Sequence, residues 1–307
     1  MSTTIAKGPL SGILSPVVST FRDTDVLDLD AFAANSRAHL AAGVHGVVVA
    51  GSTGEAALLD EDERERLVAM ARAVVPDDRW LLAGTGAEST RACVRRCRAA
   101  AAQGADAVLV VAPHYYTAAM TPAALREYFR RVADESPLPV VLYNIPKYTH
   151  FTLSPELVAE LAGHQNIVGI KDSSGDLALL GGYLAAQSAG FSVLTGNAGI
   201  VHEALRAGAR GGVLAASLFA PELTVAILTR WQAGDAEGSA AAQAALAPLG
   251  REIVGAMGVA GVKAALDAIG LHGGRLRAPL QRLDAAGVAR VAALLSDAGL
   301  AAAAAAA

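Results

Sequence analysis

A unit of strand, loop and helix recurs along the chain, and this repeat constrains the fold more than any other feature. In "AAGVHGVVVAGSTGE" a helix ends at Gly43, and a β-branched run then leads into a glycine-rich turn. The same pattern returns after Gly104 and Gly208. Glycine after a helix is the usual left-handed C-terminal cap, and short valine-rich runs without polar alternation are typical of strands covered on both faces. The repeat therefore indicates a parallel α/β fold.

Eight strands follow this pattern. They begin near Ile13, Gly46, Trp80, Ala107, Pro139, Asn166, Phe191 and Gly211. The helices between them carry start signals, including a capping box of Asp60 with Glu63, and Thr121 and Ser154 each directly before a proline. Eight alternating units predict an α/β fold of the (β/α)8 TIM-barrel type. A doubly wound open sheet is the alternative, and it is disfavoured because no G-x-G-x-x-G follows the first strand.

The predicted barrel occupies residues 1–220. From Pro221 onward the chain is rich in alanine and leucine and is longer than one closing helix requires. We therefore expect a C-terminal helical extension over residues 221–300 that packs on the barrel, with no linker between the two parts. Residues 301–307 are an alanine tail of low complexity, to which we assign no function.

Composition excludes several classes of function. A net charge of -4 and the lack of a long lysine or arginine run give no electrostatic footprint for nucleic acid. No stretch reaches the roughly 18 apolar residues that a membrane span needs, and the first residues lack the apolar core of a signal peptide. The 2 cysteines are too few for a disulfide framework, and the 7 histidines are scattered without H-E-x-x-H. We expect a cytoplasmic protein that uses no metal and binds neither nucleic acid nor membrane.

Polar residues collect where the predicted strands end, which is where (β/α)8 barrels build their active sites. Those ends carry the segments "GSTGE" (51–55), "HYY" (114–116), "YN" (143–144), "KDS" (171–173), "TGN" (195–197) and "AAS" (215–217). The segments therefore define one candidate rim.

The strand "NIVGIK" places Lys171 at its tip. Lysine is rarely buried without a partner, so this residue is either a structural ion pair, with Asp172 as the neighbouring acid, or an amine that loses its proton. Burial disfavours the charged ammonium, and a neutral amine attacks carbonyl groups. If Lys171 points into the barrel, side-chain alternation places Gly169 and Ile167 beneath it on the same face.

Two further groups complete a candidate reaction centre. Tyr143 ends the preceding strand, which we expect about 4.8 Å from the strand of Lys171, so its phenol can act as general acid and base for a Schiff-base reaction. The "GSTGE" turn offers backbone N–H groups and the hydroxyls of Ser52 and Thr53 to a carboxylate. A carboxylate beside a ketone predicts a 2-oxo acid as substrate. Taken singly, the tyrosine could be a core aromatic and the turn an ordinary loop.

In this order and at these strand ends, "GSTGE", "YNIP", "GIKDSSGD" and "RAPL" resemble the dihydrodipicolinate synthase and N-acetylneuraminate lyase family over almost the whole chain. The resemblance implies a (β/α)8 barrel that usually assembles as a homotetramer, a dimer of dimers. It also implies a lyase that joins its lysine to pyruvate in a covalent imine, with no other cofactor, and that takes an aldehyde as second partner.

The resemblance assigns roles to individual residues. Lys171 matches the Schiff-base lysine, and Tyr143 matches the tyrosine of the proton relay. Ser52 and Thr53 match the hydroxyl pair of a "GTTGE" turn that holds the carboxylate of pyruvate.

Three more positions follow from the same match. Tyr115 corresponds to a catalytic tyrosine that reaches into a neighbouring subunit's site, with Tyr116 as the alternative register. Gly196 and Leu214 fall where backbone carbonyls line the substrate pocket.

The sequence departs from the family pattern at a residue that binds the aldehyde substrate. In the synthases an arginine five residues after the tyrosine of "YN" binds the carboxylate of aspartate semialdehyde, and Tyr148 occupies that position here. A tyrosine cannot supply a bidentate charged fork. Dihydrodipicolinate synthesis would then need another cation, such as Arg22.

A second branch, the 4-hydroxy-2-oxoglutarate aldolases, is similar in "FRDTDV", "LLAGTGAEST", "ADESPLPVVLY" and "GGRLRAPLQ", and in Ser173 two residues after the lysine. Those enzymes release pyruvate and glyoxylate. Thr53 and Asn144 depart from that branch, which carries asparagine and serine at these positions.

The preferred hypothesis is therefore a Schiff-base aldolase or lyase that cleaves or forms a C–C bond between pyruvate and an aldehyde, as in 4-hydroxy-2-oxoglutarate. The alternatives within the family are 4-hydroxy-tetrahydrodipicolinate synthase and a 2-keto-3-deoxy sugar acid aldolase or dehydratase. Outside it stand a non-catalytic receptor for 2-oxo acids and a metal- or phosphate-binding barrel isomerase. A receptor needs no nucleophile, and no metal-ligand set is recognisable in the sequence.

Overall fold

A closed barrel of eight parallel strands forms the centre of the computed structural model, which describes residues 8–300. Each strand pairs with its neighbours in chain order, and the eighth pairs with the first. The strands are β1 (Gly12–Pro16), β2 (Gly46–Val49), β3 (Trp80–Gly84), β4 (Ala107–Val111), β5 (Val140–Asn144), β6 (Ile167–Asp172), β7 (Ser192–Thr195) and β8 (Gly211–Val213). The (β/α)8 architecture predicted from the repeat is confirmed, and the open doubly wound sheet is excluded.

Helices surround the barrel. They are α1 (Leu29–Ala41), α2 (Glu61–Val74), α3 (Thr90–Ala102), α4 (Pro122–Glu135), α5 (Pro146–Thr149), α6 (Pro155–Leu161), α7 (Leu177–Leu184), α8 (Val201–Ala207), α9 (Pro221–Gln232), α10 (Ala236–Leu249), α11 (Gly258–Ala268) and α12 (Ala285–Asp297). The predicted helix starts are confirmed. Asp60 and Glu63 form a capping box, and the hydroxyls of Thr121 and Ser154 accept hydrogen bonds from the first turns of α4 and α6.

Side-chain alternation along the strands separates two apolar layers. One fills the barrel interior and includes Leu14, Val48, Leu82, Leu109, Val141 and Leu194. The other lies between strands and helices and includes Ile13, Val47, Leu81, Val108, Leu142 and Val193. Because both strand faces are covered, the strands read as continuous apolar runs. The barrel interior is a packed core, as in other (β/α)8 folds.

A one-residue bulge in β6 corrects the alternation predicted below the candidate lysine. Ile167 and Gly169 pair with consecutive residues of β5, so β6 carries one extra residue between them. Ile167 therefore lies in the layer between barrel and helices and not beneath Lys171. Gly169 keeps its predicted place, and a Cβ there would lie 2.5 Å from a backbone carbonyl oxygen of β7.

The C-terminal part of the chain completes the barrel and then covers one end of it. Helix α9 packs against α8 and β1, in the position of the eighth barrel helix. The chain continues through α10, a π-helical segment (Gly250–Ala256), α11 and α12, and α11 packs against the short helix Ser52–Gly54 that follows β2. The predicted division at residue 220 falls between β8 and α9, and residues 301–307 lie outside the described part of the chain. Within residues 8–300, no helix has the length and apolarity to cross a membrane.

Candidate active site

The strand ends and the C-terminal helices line a cavity of about 180 Å³ that is open to solvent. Of the residues predicted from sequence, it is lined by Ser52, Thr53, Tyr143, Tyr148, Lys171, Ser173 and Gly196. Another part of its wall comes from the π-helical segment and α11, through Gly250, Val254, Gly255, Gly258, Val259 and Val262. Sequence reasoning missed this wall, because glycine and valine carry no chemical signal and lie far along the chain from the strand ends.

Lys171 and Tyr143 meet inside the cavity because β5 and β6 are neighbours and these two residues are paired in register. The Lys171 Nζ atom lies 4.1 Å from the centroid of the Tyr143 ring, and both side chains are buried. Among the described residues, the Lys171 amine has no hydrogen bond and no ion pair. The structural explanation, an ion pair with Asp172, is therefore wrong. A buried amine that faces the cavity without a counter-ion is a candidate nucleophile.

Asp172 instead joins the ends of β5 and β6 behind the reaction centre. Its Oδ1 accepts hydrogen bonds from the Asn144 side-chain amide at 2.7 Å and the Ser174 backbone N–H at 3.1 Å, and its Oδ2 accepts from the Ser174 hydroxyl at 2.7 Å. Burial raises the pKa of the Asp172 carboxyl, and these hydrogen bonds oppose that rise. The bond between Asp172 and Asn144 fixes the two strands one residue beyond the pair of Lys171 and Tyr143.

The hydroxyl pair predicted to hold a carboxylate lies on the short helix Ser52–Gly54, at the cavity wall. Within residues 8–300, the side chains of Ser52 and Thr53 make no hydrogen bond, so both hydroxyls are available to a ligand. The next residue, Glu55, has a left-handed backbone with φ 56° and a side chain that is buried. This backbone conformation is uncommon for a residue with a Cβ, and it persists only where the surrounding structure holds the residue in place.

The partners of Glu55 come from the C-terminal extension. The Lys263 Nζ atom lies 2.5 Å from Glu55 Oε1, and the Arg277 backbone N–H donates to Glu55 Oε2 at 2.9 Å. Lys263 also donates to the carbonyl of Arg275, and it lies over the ring of Phe21. Sequence reasoning gave Glu55 and Lys263 no role, because their pairing depends on where α11 returns to the barrel. The extension thus anchors the turn that carries the hydroxyl pair.

Gly196 is required by the close approach of the groups around it. A Cβ at this position would lie 2.0 Å from the Ser173 Oγ and 2.9 Å from the Lys171 Cε, both far inside contact distance. Its backbone N–H donates to the Asp172 carbonyl at 2.6 Å. Only a glycine lets β7 lie against Ser173 and the lysine stem.

Leu214 does not line the cavity. Its side chain is buried in the layer between barrel and helices, and its carbonyl oxygen accepts hydrogen bonds from the backbone N–H and the hydroxyl of Ser217. The flanking residues Val213 and Ala215 line the cavity in its place. The resemblance identified the segment after β8 correctly. Within that segment, the direction in which each side chain points determines which residues reach the cavity.

Tyr115 lies outside the cavity of its own chain. It is 77% exposed and packs edge-on against Tyr116, which is 70% exposed, with ring centroids 5.0 Å apart. The carboxylate of Glu88 accepts hydrogen bonds from the backbone N–H groups of His114 and Tyr115, which fixes this loop after β4. The structure thus presents two aromatic side chains on the surface, and their function stays a prediction.

Tyr148 lies at the cavity wall on α5, and partial burial raises the pKa of its phenol. The residue before it, Lys147, lines the same cavity and was missed from the sequence, although it directly follows the "YNIP" motif. Its Nζ atom donates to the Gly255 carbonyl at 2.9 Å and lies 5.9 Å from the Tyr148 ring centroid. Elsewhere in residues 8–300, no group of three or more histidine, cysteine, aspartate or glutamate side chains is arranged to hold a metal ion.

The sequence matches known proteins along almost its full length. The profile of the dihydrodipicolinate synthetase family covers residues 9–298. A 4-hydroxy-tetrahydrodipicolinate synthase of Exiguobacterium sp. is 34% identical over 281 residues, which are 92% of this chain and 95% of that protein. A DapA-like lyase of Halobacterium salinarum, described as uncharacterized, is 38% identical over 291 residues, 95% of each chain.

Solved structures share the fold. YagE, a prophage protein of this family from E. coli K12 solved in complex with pyruvate, has a TM-score of 0.89 at 31% identity and covers 95% of this chain and 99% of its own. A dihydrodipicolinate synthase from Thermotoga maritima has a TM-score of 0.90 at 29% identity, with coverage of 95% and 99%. The family match makes the protein a lyase of the Schiff-base lysine class, and a (β/α)8 barrel with a buried amine beside a phenol at its mouth is compatible with that class. This chain belongs to the dihydrodipicolinate synthetase family.

Proposed function

We propose that this protein cleaves or forms a C–C bond between pyruvate and an aldehyde, with Lys171 as the nucleophile. The observation that carries the proposal is the Lys171 amine, which is buried, makes no hydrogen bond or ion pair within residues 8–300, and lies 4.1 Å from the Tyr143 ring centroid. The imine with Lys171 supplies the electron sink that other enzymes obtain from a cofactor.

In the cleavage direction the amine attacks the ketone carbon of a 4-hydroxy-2-oxo acid, and water leaves to give a protonated imine. The C3–C4 bond then breaks, its electron pair moves into the imine to form an enamine, and the proton of the 4-hydroxyl leaves through Tyr143 as the aldehyde departs. Protonation of the enamine at C3 and addition of water return pyruvate and free Lys171. The condensation follows the same steps in reverse.

The carboxylate of pyruvate is held beside the imine by the hydroxyls of Ser52 and Thr53 in this proposal. Both side chains line the same cavity as Lys171 and make no hydrogen bond within the described residues. Ser173 also lines the cavity, two residues after the lysine, and we assign it to substrate binding.

For the substrate we propose 4-hydroxy-2-oxoglutarate, which yields pyruvate and glyoxylate. The position of Tyr148 at the cavity wall supports a partner other than that of the synthases, because no bidentate cation stands there. Arg22, the substitute considered from sequence, pairs with Asp28 and Asp30 and does not line the cavity.

The second candidate is 4-hydroxy-tetrahydrodipicolinate synthase, and the relatives from Exiguobacterium and Stenotrophomonas that bear this name support it. Two assays separate the candidates. Release of pyruvate from 4-hydroxy-2-oxoglutarate supports the first, whereas consumption of pyruvate only with aspartate semialdehyde supports the second.

We propose that the protein acts in the cytoplasm as a homotetramer, a dimer of dimers. In this assembly Tyr115 completes the active site of a neighbouring subunit. The 77% exposure of Tyr115 on the isolated chain supports a role across an interface. A dissociated monomer that is fully active would contradict it.

The test of the chemistry is to incubate the protein with pyruvate and sodium borohydride, weigh the intact chain and map the modified peptide. We expect one reduced pyruvyl adduct, on Lys171. A folded protein that gives no adduct with excess pyruvate would rule out the proposed function.

A further inference from the structure

A buried ion pair lies behind the turn of Ser52 and Thr53. Lys263 of α11 is 2% exposed, and its Nζ atom lies 2.5 Å from Glu55 Oε1. In the described chain neither of these two side chains lines the cavity, although Thr53, two residues before Glu55, and Val262, directly before Lys263, do. The pair is therefore placed to act on a bound ligand without touching it.

Both carboxylate oxygens of Glu55 are held by the C-terminal extension. Lys263 is paired with Oε1, and the Arg277 backbone N–H donates to Oε2 at 2.9 Å. The guanidinium of Arg277 donates to Glu63 Oε1 at 2.8 Å and to the carbonyl of Leu58 at 3.0 Å. The extension thus holds Glu55 and the chain that follows it in one position.

An aromatic ring separates the pair from water. Phe21 is 3% exposed, and its ring centroid lies 4.9 Å from the Lys263 Nζ atom and 4.3 Å from the central guanidinium carbon of Arg277. Cations are attracted to the face of an aromatic ring, and charges away from water are weakly screened. A charge that loses its partner here is therefore felt strongly by its neighbours.

The turn depends on this support because its backbone is unfavourable at Glu55, where φ is 56° and ψ is 36°. The Glu55 backbone N–H donates to the carbonyl of Ser52 at 3.2 Å, and the Ser19 hydroxyl donates to the carbonyl of Gly54 at 2.7 Å. Ser52–Gly54 is a single short helix, so a shift of Glu55 displaces both residues that carry the hydroxyl pair.

We propose that Lys263 is a positioning residue for the carboxylate of the 2-oxo acid and acts through Glu55 on the turn of Ser52 and Thr53. The inference rests on the proposed function, in which these two hydroxyls hold that carboxylate, and it adds a residue of the extension to the same subsite. Loss of the Lys263 ammonium releases Glu55 and leaves a buried negative charge two residues from Thr53, where it repels a second carboxylate. Both effects weaken pyruvate binding and leave the Lys171 amine in place.

The test traps the imine on Lys171 with sodium cyanoborohydride at increasing concentrations of pyruvate or of hydroxyacetone, a ketone without a carboxylate. Lys263→Met keeps the apolar stem and removes the charge. We expect the half-saturating concentration of pyruvate to rise roughly 10- to 100-fold, the range for one hydrogen bond to a charged group, and trapping of hydroxyacetone to change by less than about 3-fold. The trapping rate at saturating pyruvate should stay within about 3-fold of wild type, because the nucleophile is unchanged.

A second variant keeps the test decisive if Lys263→Met does not fold. The double variant Glu55→Gln with Lys263→Met leaves no unpaired charge, and the Arg277 backbone N–H can still donate to the amide oxygen of Gln. Its half-saturating concentration of pyruvate should lie between those of wild type and Lys263→Met, at least about 3-fold above wild type. A wild-type value in the double variant would show that the pair does not position the turn.

Leu295→Ala is the matched control for loss of stability alone. Leu295 is a buried core residue of α12, which packs against α11, and it does not line the cavity. This variant should lower the free energy of unfolding and leave the response to both ketones unchanged. A loss of pyruvate affinity in Leu295→Ala equal to that in Lys263→Met would show that any damage to the extension has the same effect.

Equal losses for pyruvate and hydroxyacetone in Lys263→Met would overturn the inference, as would an unchanged half-saturating concentration of pyruvate. Absence of a pyruvate adduct on Lys171 in the wild type would mean that the proposed function has failed. A normal wild-type adduct, with a loss in Lys263→Met that does not depend on the carboxylate, would mean that only the assignment of Lys263 has failed.

Discussion

The Nζ atom of Lys171 lies 4.1 Å from the ring centroid of Tyr143, across two strands in register. A hydrogen bond of 2.7 Å between Asn144 and Asp172 fixes the next pair of residues on the same strands. The amine and the phenol are therefore held by the sheet itself and need no loop movement to meet. Lys171→Met should abolish imine formation and turnover while leaving the fold intact, because Met retains the apolar stem and removes a buried amine. Borohydride trapping and circular dichroism would check both parts. More than a few per cent of residual activity would contradict the Schiff-base role.

Tyr143→Phe should separate imine formation from proton transfer. The ring that packs against Lys171 remains, so pyruvate should still be trapped on the lysine. Turnover should fall roughly 100-fold or more, because the general acid and base is lost. Tyr128→Phe is the control, since the Tyr128 hydroxyl donates to the Ala87 carbonyl at 3.1 Å away from the cavity. An unchanged rate in Tyr143→Phe would remove this tyrosine from the mechanism.

Gly196→Ala should lower activity with little change in overall structure. The added methyl would meet Ser173 Oγ at 2.0 Å and Lys171 Cε at 2.9 Å, so both side chains must move. Gly181→Ala in helix α7 is the matched control, because a Cβ there meets no atom within 4 Å. We expect at least a roughly 10-fold loss of kcat/KM for Gly196→Ala and none for Gly181→Ala, since small displacements of reacting groups are costly. Equal activity of the two variants would show that the close packing at Gly196 is not needed.

Glu55→Gln should destabilise the protein by about 3–5 kcal/mol, because it leaves the ammonium of Lys263 buried without its carboxylate. Urea unfolding would measure the loss. The double variant Glu55→Gln with Lys263→Met should recover part of it, since no unpaired charge then remains. If the two single variants and the double variant all lower the free energy of unfolding by the same small amount, the buried pair does not stabilise the turn of Ser52 and Thr53.

His39 makes stability depend on pH. Its side chain is buried in α1, its Nδ1 has no hydrogen-bond partner in the described part of the chain, and burial lowers its pKa from 6.5 to about 4. Between pH 6.5 and pH 4 the unfolded chain therefore binds a proton at His39 that the folded protein does not bind. The histidine's contribution to the free energy of unfolding is fully present above pH 6.5 and is lost as the pH is lowered. Between pH 7.5 and pH 5 the loss should be about 2 kcal/mol.

Urea unfolding of wild type and His39→Leu at these two pH values would measure the histidine's share. The variant should lose less stability than wild type by about that amount. If both proteins lose the same stability, His39 is not the group that titrates.

Local pattern in the sequence determined the eight strand–helix units, the capping signals and the collection of polar residues at one end of the barrel. It also determined that Lys171, Tyr143, Ser52 and Thr53 belong to one site, because neighbouring parallel strands bring their C-terminal ends together. These features depend on residues a few positions apart or on consecutive strands, so periodicity and short motifs carry them.

Tertiary structure alone decided which residues face the cavity and which distant residues meet. The bulge in β6 moved Ile167 to the outer layer, and Leu214 faces the helices although its neighbours line the cavity. The partnership of Glu55 with Lys263 and the place of Lys147 beside Gly255 arise because the C-terminal helices return to the mouth of the barrel. The physical reason has two parts. The face on which a strand side chain lies depends on unbroken strand register, and long-range contacts depend on the path by which the chain folds back. Local sequence spacing determines neither of them.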